Sequence, residues 1–256
     1  NGLTIAGGGV QTLGGNGLIN IDVYAGSLTI QSGVSAHGTG NVTLNADAGT
    51  ITQEANVSSA TGQIFITGDA INQNADITTA GAGTINVSAD NGNIDMADGT
   101  TTTSANGDIA YNASNAVALS QILSTSGNLS VTALAGAITD NLADTNGGAA
   151  GEQGVNLSTS NTLTLSAAQG IGTTGDGDID TTVGTLIATN STSGDVFIQE
   201  TNGLIIGGAG VRSLGGNGSL NVDVDAGNLQ INSVVTAHGS GNVNLNVDTG
   251  SITVNA

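Results

Sequence analysis

The chain has 256 residues, of which 20 are acidic, two are histidine and only one, Arg212, is basic, for a formal net charge of −19 at pH 7. One cation cannot displace counterions from phosphates or anionic lipids, so the composition argues against nucleic acid and anionic membranes as partners. The absence of Cys excludes a disulfide framework, no apolar run approaches the about 18 residues of a membrane span, and residues 1–11 lack the basic and apolar regions of a signal peptide.

Charged residues are 8% of the chain, against about 25% in ordinary soluble domains. Its polar surface must therefore consist of Asn, Thr, Ser, Asp and Gln, and offers little to trypsin-like proteases. Hydrophobic residues make up 38% and occur in small, regular groups along the whole length, too many for disorder.

Period-two alternation predicts short strands, nearly all opening after Gly or Asn. The first six lie at 17–23 (GLINIDV), 26–32 (GSLTIQS), 40–46 (GNVTLNA), 49–55 (GTITQEA), 62–68 (GQIFITG) and 83–89 (GTINVSA). The series continues at 92–98, 107–113, 127–133, 162–167, 194–200, 227–233 and 241–247. Each strand puts Ile, Leu, Val or Ala on one face and Asn, Thr, Ser or Asp on the other. Gly, Asn, Thr and Val disfavour helix throughout.

Strand starts are separated alternately by about 9 and about 13 residues, so every second strand returns after roughly 20–24, the length of one β-solenoid coil. The expected fold is all-β: one continuous, single-stranded parallel β-helix over 1–256, with about 11 or 12 coils. At about 4.8 Å per coil this is a rod about 55 Å long. An antiparallel sandwich has a similar strand spacing, but lacks the two alternating intervals and would need hairpin turns that are not written here. Ile19 and Ile21, Val42 and Leu44, Ile64 and Ile66, and Ile85 and Val87 are the expected interior rungs, with Tyr111 and Met96 also in core phase. Burying an aliphatic side chain contributes about 1.5–3 kcal/mol while ordering a residue costs about 1.5, so a lone coil cannot stand and stacking must stabilise it. The lack of Pro fits strands that are all central.

A longer period lies over the short one. Residues 2–55 recur, without a gap, as 203–256, with about three fifths of positions identical. The long unit, about 2–202, is followed by the start of a second copy, 203–256. A gapless offset of about 201 residues suggests a whole number of coils, about nine, or about 43 Å. The second copy stops mid-unit and no cap is evident at either end, so the chain is expected to be an excerpt of a longer protein or a subunit that stacks end to end. Residues 140–152 (DNLADTNGGAAGE) read as a loop thrown out from a corner.

Several constellations carry residue types capable of chemistry. GGNG at 14–17 and 215–218 is similar to the calcium-binding nonapeptide of toxin repeats, but Ile19 and Leu220 stand where that motif needs Asp, so a glycine-shaped corner is the better reading. Asp176, Asp178 and Asp180 have the spacing that opens an EF-hand loop, followed by Thr181 where Gly is required and Ile187 where Glu is required. They are the candidate calcium ligands, against the plainer reading of a solvated acidic turn. His37 and His238 occupy equivalent Ala-His-Gly turns a whole repeat apart and cannot share a metal within one rod. Glu54 and Glu200 have no recognisable partner acid. Phe65 and Phe197 fall on the outward phase of their strands as candidate lateral contacts. No nucleophile elbow, phosphate loop or clustered histidine is written in the chain, and one Arg cannot supply the cationic cleft of a polysaccharide lyase.

The pattern G-[NST]-[ILV]-x-[ILV]-x-[AS], with alternating short and long returns in a Pro-free, Cys-free, acidic chain, resembles the repeat rods of filamentous-haemagglutinin-like adhesins and other very large bacterial surface proteins. The resemblance covers nearly the whole chain, though the Asn-Pro motifs of that family's secretion domain are absent. It implies a right-handed helix and a secreted or cell-surface fibre, structural or adhesive and non-catalytic, whose partners are neighbouring repeats, further copies of itself or a host or neighbour-cell surface. The alternative is a solenoid whose Thr, Asn and Asp ladders bind glycan or ice, although the Thr residues are scattered in sequence and dense only at 100–103.

Overall fold

The computed structural model describes residues 2–143 and 154–256. All 26 strands join one sheet, every pairing between them is parallel, and no helix occurs among the described residues. The chain is a parallel β-solenoid of about 11 turns, and the antiparallel alternative is excluded.

Each turn has three faces. The first carries Ile19–Val23, then Val42–Ala46 of the strand Val42–Gln53, Ile64–Gly68 of the strand Ile64–Gln73, Ile85–Ala89, Ile109–Ala113 and Leu129–Ala133 in register. The second carries Leu3–Ile5, Leu28–Ile30, Ile51–Gln53, Ile71–Gln73, Ile94–Met96, Val117–Leu119 and Ile138–Asp140. A third, shorter face carries Val34–Ala36, Val57–Ser59, Ile77–Thr79, Thr101–Ser104 and Gln121–Ser124. All thirteen predicted strands are present, those at 40–46 and 49–55 as one strand that turns the corner with a register shift between Ala46 and Thr50. The expectation of two strands per coil is corrected to three. The longer of the two alternating intervals hides a third strand whose inward residues include Ser and Thr, so it shows no aliphatic alternation.

The interior is a set of stacked columns. Ile19, Val42, Ile64 and Ile85 follow one another in register, as do Ile21, Leu44, Ile66 and Val87. Tyr111 and Met96 are fully buried among them.

At the corner leading into the first face, glycine recurs because another backbone is too near for a side chain. A Cβ on Gly62 would lie 2.2 Å from the Gly40 carbonyl oxygen, and one on Gly83 would lie 2.0 Å from that of Gly62. The requirement here is close approach and not a left-handed backbone, since neither residue has positive φ.

The repeat of 201 residues does not span whole turns. From Leu28 the second-face column runs through Ile51, Ile71, Ile94, Val117, Ile138, Ile171 and Val196 to Leu220, eight steps. Leu220 is the copy of Ile19, which stands on the first face. Likewise the first-face column through Ala188 meets Val211, the copy of the third-face residue Val10. Each copy thus advances eight turns plus one face, about 40 Å, and the expectation of about nine whole coils is corrected. All three faces accept the same inward pattern, so a whole number of strands suffices and whole turns are not required.

Most steps along the second-face column take 20 to 25 residues, but Ile138 to Ile171 takes 33. Residues 144–153, most of the predicted corner loop, lie in this interval and outside the described residues. The predicted start of that loop is corrected: Asp140 ends the strand Ile138–Asp140.

Candidate functional site

The third face carries the most regular surface feature of the rod. Its strands alternate inward Val34, Val57, Ile77, Thr102, Ile122 and Leu157 with outward Ser35, Ser58, Thr78, Thr103, Leu123 and Ser158, and pairing aligns the outward set into one column that continues to Thr182. Hydroxyls scattered in the sequence are therefore brought to successive coils about 4.8 Å apart. Ser58 Oγ donates to Ser35 Oγ at 3.0 Å, and Thr182 Oγ1 donates to Thr201 Oγ1 at 3.3 Å.

Beside this column runs an inner line of hydroxyls that fixes the corner. Ser59, Thr79, Ser104, Ser124 and Thr159 donate to the carbonyls of Gly40, Gly62, Gly83, Gly107 and Gly127 at 2.6–3.1 Å. Three of them also accept a glycine N–H: Gly62 to Ser59, Gly107 to Ser104 and Gly127 to Ser124. The hydroxyls are buried because they satisfy backbone groups of two coils at once.

Three shallow, open depressions follow one another along this face. The first holds Gln11, Leu13, Ser35, His37 and Ser58; the second shares Thr78 and Ala80 with it and extends to Thr125; the third shares Ser158 with the second and extends to Gly203. In a chain of 20 acidic residues, no carboxylate among the described residues lines them, and His37 is the one titratable side chain those residues contribute. Such a surface can exchange neutral hydrogen bonds with a hydroxyl-rich ligand.

The residues singled out by sequence are dispersed. Asp176 is exposed in the turn at 172–178 that interrupts the second face, Asp178 is half-buried, and Asp180 is buried at the start of the strand Ile179–Asn190, where its N–H donates to Asn156 Oδ1. Among the described residues no three His, Asp or Glu side chains form a group able to hold a metal. Phe65 and Phe197 point outward and are half-buried, Phe65 in register with Thr43 and Asn86 and Phe197 with Asn221. His37 and His238 are exposed corner residues with matching contacts, Nδ1 lying 2.9 Å from Gly15 O and 2.7 Å from Gly216 O.

Glu200, noted in the sequence only as lacking a partner acid, is fully buried. Burial pushes its carboxyl up to about 7, only partly offset by the Thr181 hydroxyl and the backbone N–H groups of Asn202 and Val183. The signal was present in the alternation: Val196, Ile198 and Glu200 share one phase. Gln53 and Gln73 fall in core phase in the same way, after Ile51 and Ile71, and both are fully buried.

Comparison with protein-family models, curated proteins and solved structures finds no match to this chain.

Proposed function

We propose that the chain is a non-catalytic structural or adhesive rod, a segment of an extracellular fibre or stalk of a very large bacterial surface or secreted protein. The observation that carries this reading is the second-face column that runs from Leu3 to Val243, through single bridges at Ile171, and ties each turn to the next by backbone hydrogen bonds over an aliphatic core. Such a construction supplies length and stiffness, and its Asn-, Thr-, Ser- and Asp-covered exterior supplies hydration with one trypsin site. Immunogold labelling of intact producing cells, with antibody raised against the rod, tests it. Gold on the cell surface or on shed filaments is expected, and gold confined to the cell interior would overturn it.

The uncharged hydroxyl groove of the third face favours a second reading, a rod that binds neutral glycan along its length. A glycan array probed with the rod and with Thr103→Arg, which fills the groove, separates the two readings. Binding lost in the variant supports the second; thermal hysteresis in place of glycan binding would assign the ladder to ice.

A further inference from the structure

Thr181 Oγ1 lies 2.9 Å from the Gln199 carbonyl oxygen and 2.8 Å from Glu200 Oε2. A hydroxyl has one proton and can donate to only one of these oxygens. Each contact is a full two-centre hydrogen bond, with no proton shared between two acceptors, when Glu200 Oε2 itself carries a proton and donates to Thr181 Oγ1, which then donates to Gln199 O. The remaining contacts are backbone donors, which a neutral acid can still accept although they favour the ionised form: Val183 N lies 3.0 Å from Oε2 and 3.3 Å from Oε1, and Asn202 N lies 3.2 Å from Oε1. Glu200 occupies a core rung between Thr181 and Val224. The ionisable groups on the strands packed against it are acids, Asp180 on the preceding strand and Asp223 and Asp225 on the following one. The chain's one cation, Arg212, is on the strand Leu204–Ser213, in register with Thr189 and Thr236.

We propose that Glu200 is a neutral acid in the folded rod and a proton-controlled latch beneath the third-face groove. When it is deprotonated, the proton passes to solvent, the Thr181 hydroxyl turns to the carboxylate, and Gln199 O loses its side-chain donor. A charge with hydrogen-bond donors but no cation beside it then sits in the core under Val183 and Asn202, both of which line the last depression of the groove. The rod is therefore tightest there in mild acid and loosens locally as pH rises past neutrality.

The chain has three glutamates, Glu54, Glu152 and Glu200, so protein labelled with carbon-13 at the glutamate carboxyl gives three resonances, assigned with Glu54→Gln and Glu152→Gln. One resonance, unaffected by those two substitutions, should titrate near pH 7. Three midpoints in the ordinary range of about 4.3 would overturn the proposal. Amide exchange supplies a second readout. Protection at Val183 and Asn202 should fall about tenfold between pH 6 and pH 8 in the native chain and hold constant in Glu200→Gln, whose neutral amide can donate to Thr181 Oγ1 through Nε2 and accept from the Val183 and Asn202 N–H groups through Oε1. Equal profiles in the two proteins would also overturn it, and the carboxyl titration of the unsubstituted chain decides the matter if the variant does not fold.

Discussion

The Tyr111 hydroxyl donates to Gln73 Oε1 at 2.6 Å inside the solenoid, joining residues 38 positions apart. Gln73 Nε2 donates to Thr102 Oγ1 at 2.9 Å, and Thr102 lies 2.6 Å from the Tyr111 hydroxyl, so the three side chains close a ring in which each donates once and accepts once. All three are fully buried. Desolvation, opposed by the bonds from Thr102 and Gln73, raises the phenol well above its usual range, so the ring stays neutral.

Removing one member of that ring strands the other two. Tyr111→Phe keeps the aromatic volume, but leaves Gln73 Oε1 without its donor in the core. It should cost about 1–3 kcal/mol, the penalty of an unsatisfied buried polar group. Urea unfolding at one pH, followed by circular dichroism, measures the loss. An unchanged midpoint would mean that water replaces the hydroxyl.

The glycine corner predicts an asymmetry between two chemically identical substitutions. Gly83→Ala drives a methyl to 2.0 Å from the Gly62 carbonyl oxygen and against Thr79 Oγ1 at 2.8 Å, whereas Gly14→Ala meets nothing within 4 Å. The first should destabilise by about 1–3 kcal/mol or more through overpacking against backbone that cannot move away. The second should be neutral or slightly stabilising, through reduced freedom of the unfolded chain. Thermal melts of the two variants side by side check this.

What the sequence made legible follows from which residues carry the alternation. Ile19, Ile21, Val42 and Leu44 announce a strand because aliphatic and polar residues alternate without exception, and the parallel stacking follows from their return after one coil. The strands Val57–Ser59, Ile77–Thr79 and Thr101–Ser104 lack that contrast. Their inward Ser59, Thr79 and Ser104 are buried only because Gly40, Gly62 and Gly83 of the preceding coil offer carbonyls to them, a reason visible only once coils are stacked. The groove was missed for the same cause: Ser35, Ser58, Thr78 and Thr103 are neighbours across coils and strangers along the chain.

Burial of Glu200 makes stability depend on pH in a definite direction. Its carboxyl is raised from an ordinary value of 4.5 to about 7 on folding, so the native state binds the proton more tightly than the unfolded state. Its contribution is full below about pH 4.5 and is lost as pH rises through 7, an effect on the order of 3 kcal/mol. Glu200→Gln should therefore match the native chain near pH 4.5 and exceed it above pH 7, by chemical denaturation at a series of pH values. A native chain that gains stability relative to Glu200→Gln between pH 5 and 7 would contradict the sign.

The advance of eight turns and one face per copy sets how the rod presents whatever its repeat carries. Asn20 on the first face and its copy Asn221 on the second are equivalent in sequence yet face different directions, whereas Thr29 and Asn221 belong to one outward column. A feature borne by the repeat thus reappears around the axis and not along one edge, so an adhesive patch would be offered to partners on more than one side. The chain has no cysteine, so pairs of spin labels at Thr29→Cys with Asn221→Cys and at Asn20→Cys with Asn221→Cys report distances without interference. Eight turns alone separate the first pair, about 38 Å, and the second pair should be longer because it adds a third of a turn and a sideways offset. A repeat of nine whole coils would reverse that order, placing Asn20 directly in line with Asn221 and throwing Thr29 to the side.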